Sequence, residues 1–175
     1  GGRVIVFPAI THPHKGHRFL LDVMAQRWND PDLRLVLLGG VGTADGDVVE
    51  AIATLGLADR VVSAGRVPDA DRDGLIALAD ALVFPSEYEG FGAPVVEAMA
   101  LGTPVICSDQ PALAEVVGDA GLVLPADLDA WADALDIAGE RAPELIAAGR
   151  RRAGAFSAAR SGEGLVTAYR RAWER

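Results

Sequence analysis

Two short apolar runs, Ala81-Leu82-Val83-Phe84 and Val105-Ile106-Cys107, flank a stretch that carries the signals of one helix. Runs this short, bounded by turn residues, read as buried strands. Neither alternates polar with apolar, so both faces are covered, as in a parallel sheet. Between them Gly90 and Gly92 form a turn whose backbone can approach a ligand and take positive φ. Pro94 suits a first helical turn, where its missing N–H costs little. Gly102-Thr103-Pro104 then leads into the second run. The same alternation fills the chain. Strands are expected at Arg3–Phe7, Arg34–Leu38, Val61–Ala64, Ala81–Phe84, Pro104–Cys107 and Gly121–Leu124. Helices are expected at His17–Arg27, Asp47–Leu55, Asp71–Ala79, Pro111–Val117, Leu128–Ala138, Glu144–Phe156 and Gly162–Trp173. Asp69 or Asp71 is a candidate cap for the third of these. Strands alternating with helices predict an α/β fold with a doubly wound, Rossmann-like parallel sheet and right-handed crossovers.

The start of the helix after Phe84 leaves free N–H groups over the strand end, which is an anion site. Glu89 precedes it and Glu97 lies behind it on the helix, with seven residues between them. Carboxylates beside an anion site fit a ligand in which a phosphate is joined to sugars. The helix start takes the phosphate and the carboxylates accept from hydroxyls. A lone Glu in a loop or on a helix is otherwise a solvated residue. Lys15 lies in the loop between the first strand and its helix, near the carboxyl edge of the sheet, where open α/β sheets bind ligands. Gly39-Gly40-Val41-Gly42, after the second strand, is either an ordinary turn or a place of close ligand approach. It is no dinucleotide fingerprint, because no Gly-x-Gly-x-x-Gly follows the first strand. Arg66 lies either on the surface or against a ligand's ring.

Other chemistries fit less well. Glu89 and Glu97 as the acid and base of a glycoside hydrolase would have to flank a bond at about 5–9.5 Å, which a helix-start arrangement suits poorly. His12, His14 and His17 invite a metal, but zinc wants a third and fourth ligand and no cysteine cluster is near. His14 or His17 reads instead as a donor to phosphate or to the loop. Cys107 is the single cysteine, inside a strand, and reads as a buried inert thiol.

The 175 residues suit one domain, and half of them are apolar. The balance of 16 basic against 25 acidic residues, a net of −9, argues against nucleic acid. It also gives no support to an anionic membrane surface as the partner of this domain. No apolar run approaches the roughly 18 residues of a membrane span. No charged-apolar-small segment opens the chain, and a cytoplasmic setting fits. A start at Gly1-Gly2 without Met is expected of a piece of a longer protein.

The run Glu89-Gly90-Phe91-Gly92-Ala93-Pro94-Val95-Val96-Glu97-Ala98-Met99-Ala100-Leu101-Gly102-Thr103-Pro104-Val105 resembles the signature of retaining GT-B glycosyltransferases of the group 1 (family 4) type. The likeness extends over nearly the whole chain. It implies the C-terminal, donor-binding half of a GT-B enzyme over residues 1–175, with the N-terminal acceptor domain absent. It further implies retaining transfer of a sugar from a nucleotide-diphosphate donor to an acceptor hydroxyl, without a metal or other cofactor. Pro13-His14-Lys15-Gly16 is similar to the family's loop in which Lys meets the donor diphosphate. The family often has Arg five residues before that Lys, where this chain has Ile10. The implied donor-binding set is Lys15, Gly40, Arg66, Val67, Glu89, Gly90, Phe91, Gly92 and Glu97. Within it Val67 meets the base through its backbone, Glu97 the ribose and Glu89 the donor sugar. Lys15 and Glu89 are the catalytic candidates. Pro8-Ala9-Ile10-Thr11-His12-Pro13-His14-Lys15 looks like a mannosyltransferase subgroup, which favours GDP-mannose. A GT-B sugar-nucleotide epimerase and a non-catalytic nucleotide-sugar binding module are the alternatives. Phe156-Ser157 and Tyr169-Arg170 resemble the family's closing pattern, whose last helix reaches the other domain. The implied partners are the donor and the missing domain, and membrane association of the whole enzyme stays open.

Overall fold

A computed structural model describes residues 2–174; Gly1, of the opening Gly1-Gly2 pair, lies outside them. Six strands form one parallel sheet: β1 (Val4–Pro8), β2 (Arg34–Leu38), β3 (Val61–Gly65), β4 (Ala81–Phe84), β5 (Val105–Ser108) and β6 (Leu122–Leu124). Their order is β3-β2-β1-β4-β5-β6. The central strands are buried along nearly all their length, which is why they read as unbroken apolar runs. Ile5, Val6, Phe7, Leu82 and Val83 have no exposed surface. Each such side chain contributes on the order of 2 kcal/mol of burial. β3 and β6 are the edge strands, and Val62 on β3 is exposed.

The connecting helices are α1 (His17–Gln26), α2 (Asp45–Thr54), α3 (Asp69–Leu78), α4 (Ala93–Leu101), α5 (Pro111–Val117), α6 (Leu128–Trp131), α7 (Ala134–Glu140), α8 (Ala142–Ala153) and α9 (Ala158–Trp173). Every expected strand is present, with ends moved by at most a residue. The helices depart further: α2 and α8 each start two residues early, and α8 ends at Ala153, three residues short of the expected Phe156. α3 starts at Asp69, and its N-cap is Pro68 with no side-chain cap, so neither Asp69 nor Asp71 takes that place. The single helix expected over Leu128–Ala138 is two. The Trp131 carbonyl accepts the Trp28 indole N–H at 2.9 Å, so it is not a helical acceptor, and the ladder resumes from Ile137 N–H to the Asp133 carbonyl. α9 begins four residues before the expected Gly162, because the Ser157 hydroxyl accepts from the Arg160 N–H at 3.2 Å. No residue of α9 is buried. Among the described residues, no helix is long and apolar enough to cross a membrane.

The chain runs outward from β1 through β2 to β3, then returns past β1 to β4. Loops therefore diverge between the two halves of the sheet at the carboxyl ends of β1 and β4, where a crevice forms.

Candidate functional site

The carboxyl ends of β1, β2 and β3 and the start of α4 enclose a cleft of about 280 Å³. Ile10 comes from the first loop, Gly39 and Gly40 from the second, Arg66 and Val67 from the third, and Pro94 and Glu97 from α4. Backbone bonds fix the loops against one another. Thr11 N–H donates to the Gly40 carbonyl at 3.3 Å, and the Thr11 carbonyl accepts from Ala44 N–H at 2.8 Å. The buried Thr11 hydroxyl accepts from Gly42 N–H at 2.7 Å and donates to Asp45 at 3.0 Å. Thr11 thus ties the first loop to the second. Its place in the run Thr11-His12-Pro13 gave no sign of this beyond a hydroxyl near a proline turn.

Lys15 sits on a short 3₁₀ turn, Pro13–Lys15, and Gly16 follows it with φ 78°. A Cβ at Gly16 would lie 2.3 Å from the Pro85 carbonyl oxygen, so only glycine lets this loop meet the end of β4. Glu87 N–H donates to the His14 carbonyl at 2.8 Å across the same junction. The result brings Lys15 Nζ to 2.6 Å from Glu89 Oε1, with both side chains largely buried. Residues expected to meet different parts of one ligand are here paired with each other. Gln110, unremarked in the sequence, holds this loop. Its amide N–H donates to the Glu89 carbonyl at 3.3 Å while its Oε1 accepts from the first N–H groups of α5.

The glycine-rich turn divides. Gly92 takes φ 86° as the N-cap of α4, but Gly90 is not among the positive-φ residues and needs no such freedom. Phe91 is half-exposed, and its ring meets Phe156 edge-on at 5.5 Å. Glu97, one turn into α4, is half-exposed and lies 3.6 Å from Arg72 Nη2. Arg72 was not foreseen; it lines the cleft with Glu97, from the first turn of α3. The cleft collects Gly40, Arg66, Val67 and Glu97 but not Lys15, Glu89, Gly90, Phe91 or Gly92; Phe91 lines a second hollow with Glu97 and Phe156.

The histidines separate. His17 is buried against the Phe7 ring at 4.5 Å and is a core residue, not a donor to ligand. Burial lowers its pKa to about 4, outweighing the Ala9 backbone and Asp45, which pull the other way. His12 and His14 stack at 5.9 Å, and His12 Nδ1 lies 3.3 Å from the Thr43 hydroxyl. Among the described residues, no three His, Cys, Asp or Glu side chains group as a metal would require. Cys107 is fully buried in β5, and burial, then Asp109, pushes its thiol up to about 12. It is an inert core thiol at neutral pH.

A profile of the family described as "Glycosyl transferases group 1" matches residues 2–141. The MMP alpha-(1->4)-mannosyltransferase of Mycolicibacterium hassiacum is 39% identical over 131 residues, 73% of this chain and 32% of that protein. Sucrose-phosphate synthase from Thermosynechococcus elongatus superposes with a TM-score of 0.81 at 29% identity, over 99% of this chain and 46% of the other. Anabaena Alr3699/HepE, crystallised with UDP and glucose, gives a TM-score of 0.76 at 25% identity, over 87% of this chain and 43% of its own. The chain thus spans less than half the length of each of these relatives. Its sheet and helices are those of one half of a GT-B glycosyltransferase.

Proposed function

The chain belongs to the group 1 glycosyltransferase family, and from that premise we propose that it is the nucleotide-sugar donor-binding half of a retaining glycosyltransferase. One observation carries the reading. Glu97 and the Arg66-Val67 turn face one cleft, and Lys15 and Glu89 pair between the two loops that also feed that cleft through Ile10 and Pro94. The cleft suits a nucleoside, with Glu97 accepting from ribose hydroxyls and the Val67 backbone at the base. The junction suits the diphosphate and the sugar. Lys15 and the backbone N–H groups near Gly90, Phe91 and Gly92 take the phosphate oxygens, while Glu89 accepts from the sugar.

In the transfer, the bond from the sugar's anomeric carbon to the diphosphate breaks and one to the acceptor oxygen forms. The nucleoside diphosphate leaves with the bonding electrons, so negative charge grows on phosphate oxygen. In this reading Lys15 and the turn's N–H groups stabilise it. No metal is needed in this scheme, since protein cations and backbone donors do its work. GDP-mannose is the favoured donor, supported by the relative whose name is a mannosyltransferase. Acceptor binding falls to a further domain, as the partial coverage of the relatives suggests. The exposed Leu165, Val166, Tyr169 and Trp173 of α9 fit a face turned to that domain. The isolated chain then binds donor and transfers little.

Calorimetric titration with GDP, UDP and ADP and their sugar conjugates, without metal, tests the reading. We expect one base to be preferred. Lys15→Ala should weaken the diphosphate by about tenfold to a hundredfold, as a lost charge-assisted contact would, and leave the nucleoside unaffected. Equal losses for both would remove the phosphate role of Lys15. Absence of binding by all of these nucleotides would overturn the donor-site reading.

A further inference from the structure

We infer that Arg72 is a positioning residue that sets the Glu97 carboxylate for a ribose, making the cleft selective for ribonucleotides over 2′-deoxyribonucleotides; this rests on the donor-binding reading above. Arg72 and Glu97 line the same cleft from different helices. Nη2 of Arg72 is 3.6 Å from Glu97 Oε2 and 2.9 Å from Asp73 Oδ1. Its Nε is 3.1 Å from the same Asp73 oxygen, and Nη1 is 3.4 Å from Asp69 Oδ1.

All three guanidinium nitrogens therefore face carboxylates. A ligand phosphate approaching Arg72 would meet Asp69, Asp73 and Glu97 as well, and their combined charge exceeds that of the one cation. Direct phosphate binding by Arg72 is disfavoured on that ground. The planar fork of Arg72 is taken by Asp73, through Nε and Nη2. Held there and by Asp69, the guanidinium stands 3.6 Å from one oxygen of Glu97, a charge contact longer than a hydrogen bond that favours one direction of that carboxylate. The second oxygen, Oε1, is left to accept from a hydroxyl. A half-exposed Glu on a helix would otherwise turn freely about its side-chain bonds, and a ribose would have to immobilise it at an entropic cost. A nucleotide lacking the 2′-hydroxyl gains less from an oriented carboxylate. Sites built to meet a hydroxyl reject the analogue without it.

The test compares GDP, UDP and ADP with their 2′-deoxy counterparts on the unsubstituted chain and on Arg72→Leu, Arg72→Lys and Glu97→Gln. We expect the unsubstituted chain to prefer the ribonucleotide by about tenfold. Arg72→Leu should reduce that preference to within about twofold and weaken the 2′-deoxy form much less than the ribonucleotide, since the deoxy form keeps only its 3′-hydroxyl for Glu97. Arg72→Lys, which retains the charge, should restore part of the preference. Glu97→Gln should behave as Arg72→Leu does, and the double substitution should add nothing further. Equal weakening of both nucleotide forms by Arg72→Leu would mark a structural or phosphate role and overturn the inference. So would an unchanged preference. An unsubstituted chain that binds nucleoside diphosphates without favouring ribose overturns this inference alone. One that binds none overturns the donor-site reading with it.

Discussion

Lys15 and Glu89 satisfy each other across the loop junction at 2.6 Å, so the cation is already occupied in the free chain. A diphosphate that takes Lys15 must first release Glu89. The exchange costs affinity, because a largely buried ion pair has to be broken. Glu89→Gln removes the competing charge. It should tighten nucleoside diphosphates several-fold while weakening sugar conjugates relative to them, because the carboxylate that meets the sugar is gone. Calorimetry on both ligand types decides this; a Gln variant that loses both would assign Glu89 to holding the loop. Charge identity at these two positions was legible from the sequence, since Lys15 and Glu89 stood at strand ends beside glycines. Their mutual contact was not, because it depends on the Gly16–Pro85 approach across seventy residues of chain. Arg72 escaped for a related reason. On its own helix it stands among three acidic neighbours, Asp69, Asp71 and Asp73, and its role appears only when α3 stands beside α4.

At the level of elements, α1 begins with a histidine packed into the core instead of a capping side chain. His17 has a pKa of about 4 in the fold against 6.5 outside it. The unfolded chain therefore binds a proton before the folded one does. Stability from this group is complete above pH 6.5 and falls as pH drops toward 4, by up to about 3 kcal/mol. Urea denaturation midpoints should decline across that window, and His17→Phe should flatten the decline. A decline of equal size in the variant would assign it to other groups. The elements read to the residue were β2, β4 and α5, short segments bounded by clear turn residues, whereas the ends of β1 moved by one. The boundary missed between α6 and α7 turns on one indole N–H, that of Trp28 just past α1, a contact outside any local pattern.

For the whole molecule, the core and the last helix are separate. α9 buries no residue, so ending the chain at Ser157 should shift the thermal midpoint by less than about 2 °C. Calorimetric scans of both forms measure it, and a larger fall would mean that Phe156 and its contact with Phe91 depend on α9. The sheet order places β1 at the centre, paired with β2 on one side and β4 on the other. β1 ends at Pro8 and β4 starts at Ala81, so the second pairing closes a long loop. Closing such a loop sacrifices chain entropy before any contact repays it, and sheets of this kind form late and slowly. The crevice lies beside this seam, lined by the loops after β1, β2 and β3 and by the start of α4. A growing or partly refolded chain that stops at β3 therefore holds the loops after β1 and β2 but lacks the Arg66-Val67 turn and the wall from α4, and the crevice comes into being only when α4 has packed.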